Sequence, residues 1–343
     1  MVVRIKKVLI FCSFLLTIFI ALAIYLWLVF PHRALSNHSD SLTYRLLPGT
    51  SLNVMSTQLK EQQVFGTLQA ICFKIWVRLQ RADKSLQAGE YAIARNTTPH
   101  ALLNKVRHGE VIQHVLVLKE GTTFEQLNEM LLSHPAISHR LQGKSIEQIR
   151  ELLQEPLASL EGLFYPDSYF FVHGTSDIEL LKRARKNLYD RLLKAWQGKA
   201  PELALKTPYQ ALILASIIEK ETALNREKPD ISGVFQRRLK KGMRLQADPT
   251  VHYAFGQLQG KLTKLQLKTP SPFNTYLNTG LPPAPICFPS MSSLEAACHP
   301  ALGETLYFVS KGDGSHHFSE TLAEHNEAVQ KYRNKEKTDE HKS

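Results

Sequence analysis

Cysteine is scarce in this chain: Cys12, Cys72, Cys287 and Cys298 are the only four in 343 residues. Cys12 falls in a long apolar run, so at most one disulfide can form among the other three and at least one thiol stays free. A disulfide scaffold is therefore excluded. C-x-x-C and H-E-x-x-H spacings are also missing, and neither a metal nor another cofactor is expected. Acidic residues are in deficit as well, 31 against 42 Lys and Arg, for a net charge of +11. Arg4, Lys6 and Lys7 supply +3 of that, which leaves +8 beyond the apolar run. This balance suits an anionic surface or polymer such as a bacterial envelope, and a merely basic soluble surface fits it equally. No nucleic-acid partner is expected.

Apolar residues are plentiful, at 43%. A chain of this length holds a membrane anchor and about two domains. Val8 to Phe30 carries no charge and exceeds the roughly 20 residues that cross a bilayer as a helix. Arg4, Lys6 and Lys7 precede the run and only Arg33 follows closely, which puts the N-terminus in the cytoplasm and the rest outside. A cleaved signal peptide is the competing reading, but the run is too long and no A-x-A-like site follows it. The expected layout is a cytoplasmic tail at 1–7, a transmembrane helix at 8–30 and a polar stalk at 31–43.

Beyond the stalk, one design recurs: a short strand, a turn and an amphipathic helix. It occurs at residues 44–59, 88–106 and 115–131, where Thr98 caps a helix that Pro99 starts. The pattern resembles the Gly-Thr turns of LysM-type glycan-binding modules, and an ordinary α+β packing domain fits it too. LEGLFYPDSYFF (160–171) gathers five aromatic rings around a Pro-Asp turn, a sugar-stacking face or a core edge. Residues 177–196 read as a long basic helix and 226–241 as another, with Ile231, Val234, Phe235 and Leu239 on its buried side. Leu306–Ser310 and His317–Ser319 flank a Gly-Asp-Gly turn as a hairpin, and a closing helix follows over 320–332.

TPYQALILASIIEKET (207–222) stands out chemically. Thr207, Pro208 and Gln210 read as a capping box with proline at the first helical position. At about 100° per residue, Ile213, Leu214, Ile217 and Ile218 share a side with Glu221, whereas Glu219 points away beside Leu212, Ala215 and Ser216. A carboxyl on an apolar stripe resists ionisation, which is what a general acid at neutral pH requires. A pairing with Lys or Arg, or an escape to solvent, would leave it chemically ordinary. Two irregular stretches after it, rich in Pro, Asn, Thr and Tyr, supply Gln246, Asp248, Asn274 and Tyr276, which with His316 are groups able to hydrogen-bond a sugar and converge on a cleft.

ASIIEKET, GMRLQADPTVHYAFG, NTYLNTGLPP, AACHP and LYFVSKGDGSHHF stand in an order and spacing that resembles the YceG-like, or MltG-type, endolytic murein transglycosylases. LEGLFYPDSYFF is similar to that family's equivalent segment. The resemblance implies an α+β protein with one transmembrane helix, a LysM-like subdomain at 44–135, a mixed helical and β catalytic domain at 136–333 and a disordered tail at 334–343. It implies an inner-membrane enzyme whose catalytic domain lies in the periplasm and cuts peptidoglycan glycan strands, ending them as 1,6-anhydromuramoyl sugars, with peptidoglycan synthases as candidate partners. The family's catalytic glutamate falls on Glu221, followed by Thr222. Arg237, where an Asn is expected, and Ala284, Cys287 and Phe288 depart from the family pattern. A muramidase-type hydrolase using Glu221 with Asp248 and a non-catalytic peptidoglycan-binding adaptor are the competing functions.

Overall fold

A computed structural model describes residues 2–35, 41–256 and 260–340. Residues 36–40 of the expected stalk and 341–343 of the expected tail lie outside the described residues. The chain forms two compact units, Met1–His114 with Phe170–Gly174, and Val115–Tyr169 with Thr175–Ser343.

The first unit opens with α1 (Val2–Ile24), which continues through one turn of π-helix at Tyr25–Val29 and one of 3-10 helix at Phe30–His32. This helix is long and apolar enough to cross a membrane. β1 (Leu42–Leu46), α2 (Leu52–Glu61), α3 (Thr67–Leu79), β2 (Gly89–Ile93) and α4 (Pro99–His108) follow it. β1 and β2 pair antiparallel, with Leu42 opposite Ile93 and Leu46 opposite Gly89, so two helices are enclosed between two strands. Capping fixes the helix starts: Ser51 accepts from the Val54 N–H, and Thr98 from that of Ala101 ahead of Pro99. Tyr44, Met55, Leu59, Phe73, Tyr91 and Leu102 make the core.

The second unit contains β3 (His114–Val117, whose first residue belongs to the first unit), α5 (Phe124–Ser133), α6 (Ile146–Leu153), β4 (Ser168–Phe171, whose last two residues belong to the first unit), α7 (Asp177–Gln197), α8 (Pro208–Glu221), α9 (Lys228–Lys240), α10 (Asp248–Ala254), α11 (Lys264–Lys268), α12 (Met291–Cys298), β5 (Tyr307–Ser310), β6 (His316–Ser319) and α13 (Leu322–Glu340). The third strand-turn-helix pattern groups with this unit because its turn is tied there. The Gly121 N–H donates to the Phe288 carbonyl at 2.9 Å, and the Phe288 N–H to the Thr122 carbonyl at 2.8 Å. β5 and β6 form the expected hairpin, and α13 continues past 334, where a disordered tail was expected, to Glu340.

α8 is the axis of this unit. Thr207 accepts from the Gln210 N–H at 3.2 Å, and the Gln210 side chain reaches one residue further back than a capping box would, to the Lys206 N–H at 2.6 Å. Ala211 to Ile218 are all buried, because α7, α9, α10 and α12 surround the helix. Each Leu or Ile there contributes about 1.5–3 kcal/mol. Neither side of α8 is therefore polar. The Pro-rich segment is pinned to it, with the Ile286 N–H donating to Ser216 at 3.0 Å and the Cys287 thiol to the Ser216 carbonyl at 3.3 Å. Phe164 stacks on Phe124 and meets Phe288 edge-on, so the aromatic run is a core edge there.

Gly162 lets the Pro-rich segment approach the aromatic run. Its φ is +77°, and a Cβ there would come within 2.4 Å of Pro285 Cβ. Gly162→Ala is expected to cost about 2–4 kcal/mol from the left-handed backbone and the overlap together, read as a lower urea midpoint.

Candidate active site

Two glutamates end α8 and meet opposite fates. Glu219 accepts from Ser290 Oγ, from the Ser290 N–H at 2.9 Å, from Ser293 Oγ at 2.6 Å and from Lys228 Nζ at 3.2 Å. Burial pushes its pKa up, but the serine hydrogen bonds and Lys228 outweigh it and leave the carboxyl below its ordinary range. It is an ionised structural group, and Lys228 is itself only 2% exposed. Glu221 accepts no hydrogen bond among the described residues. Burial, then the Asp248 charge, push its pKa up to about 8, with Arg238 pulling the other way. The residue as a whole is half-buried at the end of α8.

Asp248 opens α10, which packs on α8, and its carboxylate accepts from the Tyr276 hydroxyl at 2.5 Å. Burial and that carboxylate raise the Tyr276 pKa, so the phenol stays a donor. Asp248 and Gln246 are exposed and Tyr276 is half-buried. Gln246 has φ +51°, a left-handed conformation unusual for a side-chain-bearing residue. Its N–H donates to the Thr275 carbonyl at 3.1 Å, and the next N–H, of Ala247, to Thr275 Oγ1 at 3.0 Å. That turn directs the Gln246 side chain outward beside Asp248. Asp248, Tyr276 and Glu221 make one cluster, and Gln246 lies two residues before Asp248.

The other two expected residues serve elsewhere. Asn274 is fully buried, donates to the Leu267 and Thr269 carbonyls at 3.1 and 2.9 Å and accepts from the Tyr276 N–H at 3.0 Å. It shapes the loop that carries Tyr276 and is not placed to touch a ligand. His316 lies on β6, where Nδ1 meets Glu227 at 2.8 Å and the ring packs edge-on against Phe308. None of its contacts among the described residues is with Glu221, Asp248 or Tyr276.

Arg238 escaped sequence reasoning. It donates to the Leu306 and Leu245 carbonyls, both at 2.7 Å, and its guanidinium lies 5.2 Å from the Tyr307 ring centre. Ile231, Val234, Phe235 and position 238 fall at i, i+3, i+4 and i+7, so the apolar stripe of α9 already placed this cation on the buried face. Glu161 was also missed. It is 6% exposed, accepts from the Phe124 N–H and the Tyr253 hydroxyl, and burial pushes its pKa up to about 7. It lines a cavity of about 580 Å³ with Thr123, Asn128, Ser159 and Tyr253, and Glu221 is not among the lining residues. A carboxylate inside an aromatic run was the available signal.

All four cysteines are free, and Cys287 and Cys298 are buried. No group of three or more His, Cys, Asp or Glu side chains among the described residues is arranged to hold a metal.

A carboxyl that burial holds protonated, beside an exposed carboxylate and a phenol, has the chemistry that a general acid needs. The sequence profile of the YceG-like family matches residues 45–331, and the chain belongs to that family. It is 30% identical over 301 residues to an endolytic murein transglycosylase of Bacillus subtilis, covering 83% of this chain and 82% of that protein. A Streptococcus pneumoniae protein of the same name is 23% identical over 333 residues, and the chain spans 60% of that longer relative. The crystal structure of a YceG-like protein from Listeria monocytogenes is 29% identical, with a TM-score of 0.52 over 85% of this chain and all of that one.

Two stability measurements separate the glutamates. Glu219→Ala leaves Lys228 buried and unpaired and is expected to cost about 3–5 kcal/mol by urea unfolding. Glu221→Gln is expected to stabilise. Between the ordinary carboxyl pKa and about 8, unfolding releases the Glu221 proton, so wild-type stability falls with rising pH there while the variant's does not. The gap widens by at most about 1.4 kcal/mol per pH unit and levels off above pH 8.

Proposed function

We propose that this chain is an endolytic peptidoglycan lytic transglycosylase that cuts the MurNAc–GlcNAc bond within glycan strands, with Glu221 as its one acid/base. The observation that carries this reading is the Glu221 carboxyl, which burial holds protonated at neutral pH on a half-buried residue at the end of a buried helix. Two relatives that bear the name endolytic murein transglycosylase support the substrate.

Glu221 gives its proton to the glycosidic oxygen as the bond to the muramoyl C1 breaks, and the bonding pair leaves with the GlcNAc oxygen. The N-acetyl oxygen of the substrate steadies the oxocarbenium-like centre. The muramoyl C6 hydroxyl then attacks C1 and returns its proton to the Glu221 carboxylate. No water is consumed, a 1,6-anhydro end forms and the enzyme is ready for another cycle. This needs one carboxyl rather than the usual two. Gln246 and Tyr276 border the sugars, and Asp248 keeps Tyr276 oriented and Glu221 protonated.

α1 crosses the bacterial plasma membrane with Arg4, Lys6 and Lys7 on the cytoplasmic side, which sets the remainder in the periplasm. The β1-α2-α3-β2 order of the first unit supports a LysM-like glycan-binding role. Cleavage of nascent strands ends their elongation, and the synthases that extend them are the fitting partners.

Digestion of purified sacculi with mass spectrometry of the new chain ends tests the proposal. Wild-type protein is expected to release anhydro ends, lighter by one water than reducing ends, with turnover declining above about pH 8 as Glu221 ionises. Glu221→Gln is expected to lower turnover by about 10²–10⁴ and leave glycan binding intact. Reducing ends, or undiminished turnover in the variant, overturn it.

A further inference from the structure

We propose that α3 lies on the membrane, with an outward stripe of four apolar side chains set in the boundary between headgroups and acyl chains. The inference rests on the reading that α1 spans the bilayer. Leu68, Ile71, Ile75 and Leu79 recur at i, i+3, i+7 and i+11, which aligns them along one face of α3. They are 77, 45, 41 and 57% exposed. The opposite face, with Ala70, Phe73, Trp76 and Val77, is part of the unit's core, so α3 is apolar on both sides and only one of them is covered. A contiguous exposed stripe of this kind marks an interaction site, whereas single exposed apolar residues do not.

The end of the anchor identifies the occupant. Phe30, the last residue of the uncharged run, is 2% exposed and meets Trp76 of α3 edge-on at 6.5 Å between ring centres. Tyr25 packs on Phe30 in turn, and α3 touches the Tyr25–Val29 turn. The membrane helix thus enters the folded core within its last two turns, while Trp27, Leu28 and Val29 of the same turns stay exposed. No free stalk separates α3 from the end of the span, and a helix packed there lies within about one helix diameter, roughly 10 Å, of the bilayer boundary. Lys74 and the exposed Arg78 and Arg81 flank the stripe, the charge that anionic headgroups attract. Arg78 is oriented by its bond to Asn53 Oδ1 at 3.0 Å. An apolar face flanked by Lys and Arg, held at that depth, is the pattern of an interfacial helix.

Spin labels test this in the full chain, with Cys12 and Cys72 replaced by serine, reconstituted into phosphatidylcholine–phosphatidylglycerol vesicles. Labels are placed singly at positions 16, 68, 75 and 302, the last because Leu302 is 98% exposed in the second unit. Collision rates with lipid-soluble oxygen and with an aqueous nickel chelate report depth. The expected result is a deep label at 16 and oxygen preference at 68 and 75 intermediate between those at 16 and 302. Labels at 68 and 75 as water-exposed as that at 302, with 16 deep, overturn the inference and leave the anchor intact. A water-exposed label at 16 overturns the anchor reading, and the inference with it. Labels at 68 and 75 shielded from both reagents place a protein surface, such as a second copy, on the stripe, and that also overturns the proposal.

Discussion

Removal of water from the last turn of α8 governs the chemistry of the second unit. Four helices pack around this one, so any carboxyl emerging from its end meets protein before solvent. Glu219 meets hydroxyls, an N–H and a lysine, and ionises. Two residues on, Glu221 meets a second carboxylate and no hydrogen-bond donor among the described residues, and holds its proton. The difference lies in what each direction of the helix faces, since both residues are glutamates on the same turn. The Glu219 cluster holds the start of α12 and Lys228 of α9 against α8, and those contacts maintain the desolvation that Glu221 requires.

The surrounding loops inherit their shape from the same scaffold. Arg238 joins the Leu245 carbonyl, just before the Gln246 turn, to the Leu306 carbonyl, just before β5. Its neighbour Arg237, at a position where Asn was expected, binds the Ala301 and Thr305 carbonyls at 2.9 and 2.6 Å. Gly233 lets α9 approach that segment, since a Cβ there would lie 2.6 Å from the Ala301 oxygen. The departure at Arg237 thus ties down a loop and leaves the Glu221 surroundings alone. Cys287 and Phe288 are fully buried against α8 and the aromatic run, so those departures are packing choices.

Much of this was legible in the sequence wherever a local rule acts alone. The raised pKa of Glu221 was expected from helical periodicity, and the α8 and α4 starts from Thr and Pro at capping positions. Rules of that kind failed where tertiary partners decide. Asn274 looked like a sugar ligand because Asn commonly is one, but its amide is taken by backbone seven and five residues back. His316 was grouped with the site by chemistry, although the β5–β6 hairpin gives it to Glu227. α3, α6, α10, α11 and α12 went unread, and α10 lies in a stretch expected to be irregular: α3 is apolar on two faces and lacks a clear period, and the others are short. The apolar stripe expected on one side of α8 was only half the truth, because its other side is buried too. Nothing local announces that a helix will be surrounded.

In the proposed mechanism, burial of Glu221 acts in both halves of a transglycosylation cycle. A carboxyl that holds its proton up to about pH 8 is available as an acid at rest, and the same lack of solvation makes its carboxylate an avid base once the proton has gone. A nearby hydroxyl is then a better proton source than in water. For a hydrolase, the second carboxylate must activate water, but in this site Asp248 already accepts the Tyr276 hydroxyl and its charge opposes ionisation of Glu221. The two carboxyls are therefore unequal by construction: one stores the proton, and the other keeps it there. That division of labour suits an internal nucleophile, which needs only one base, better than it suits an external one.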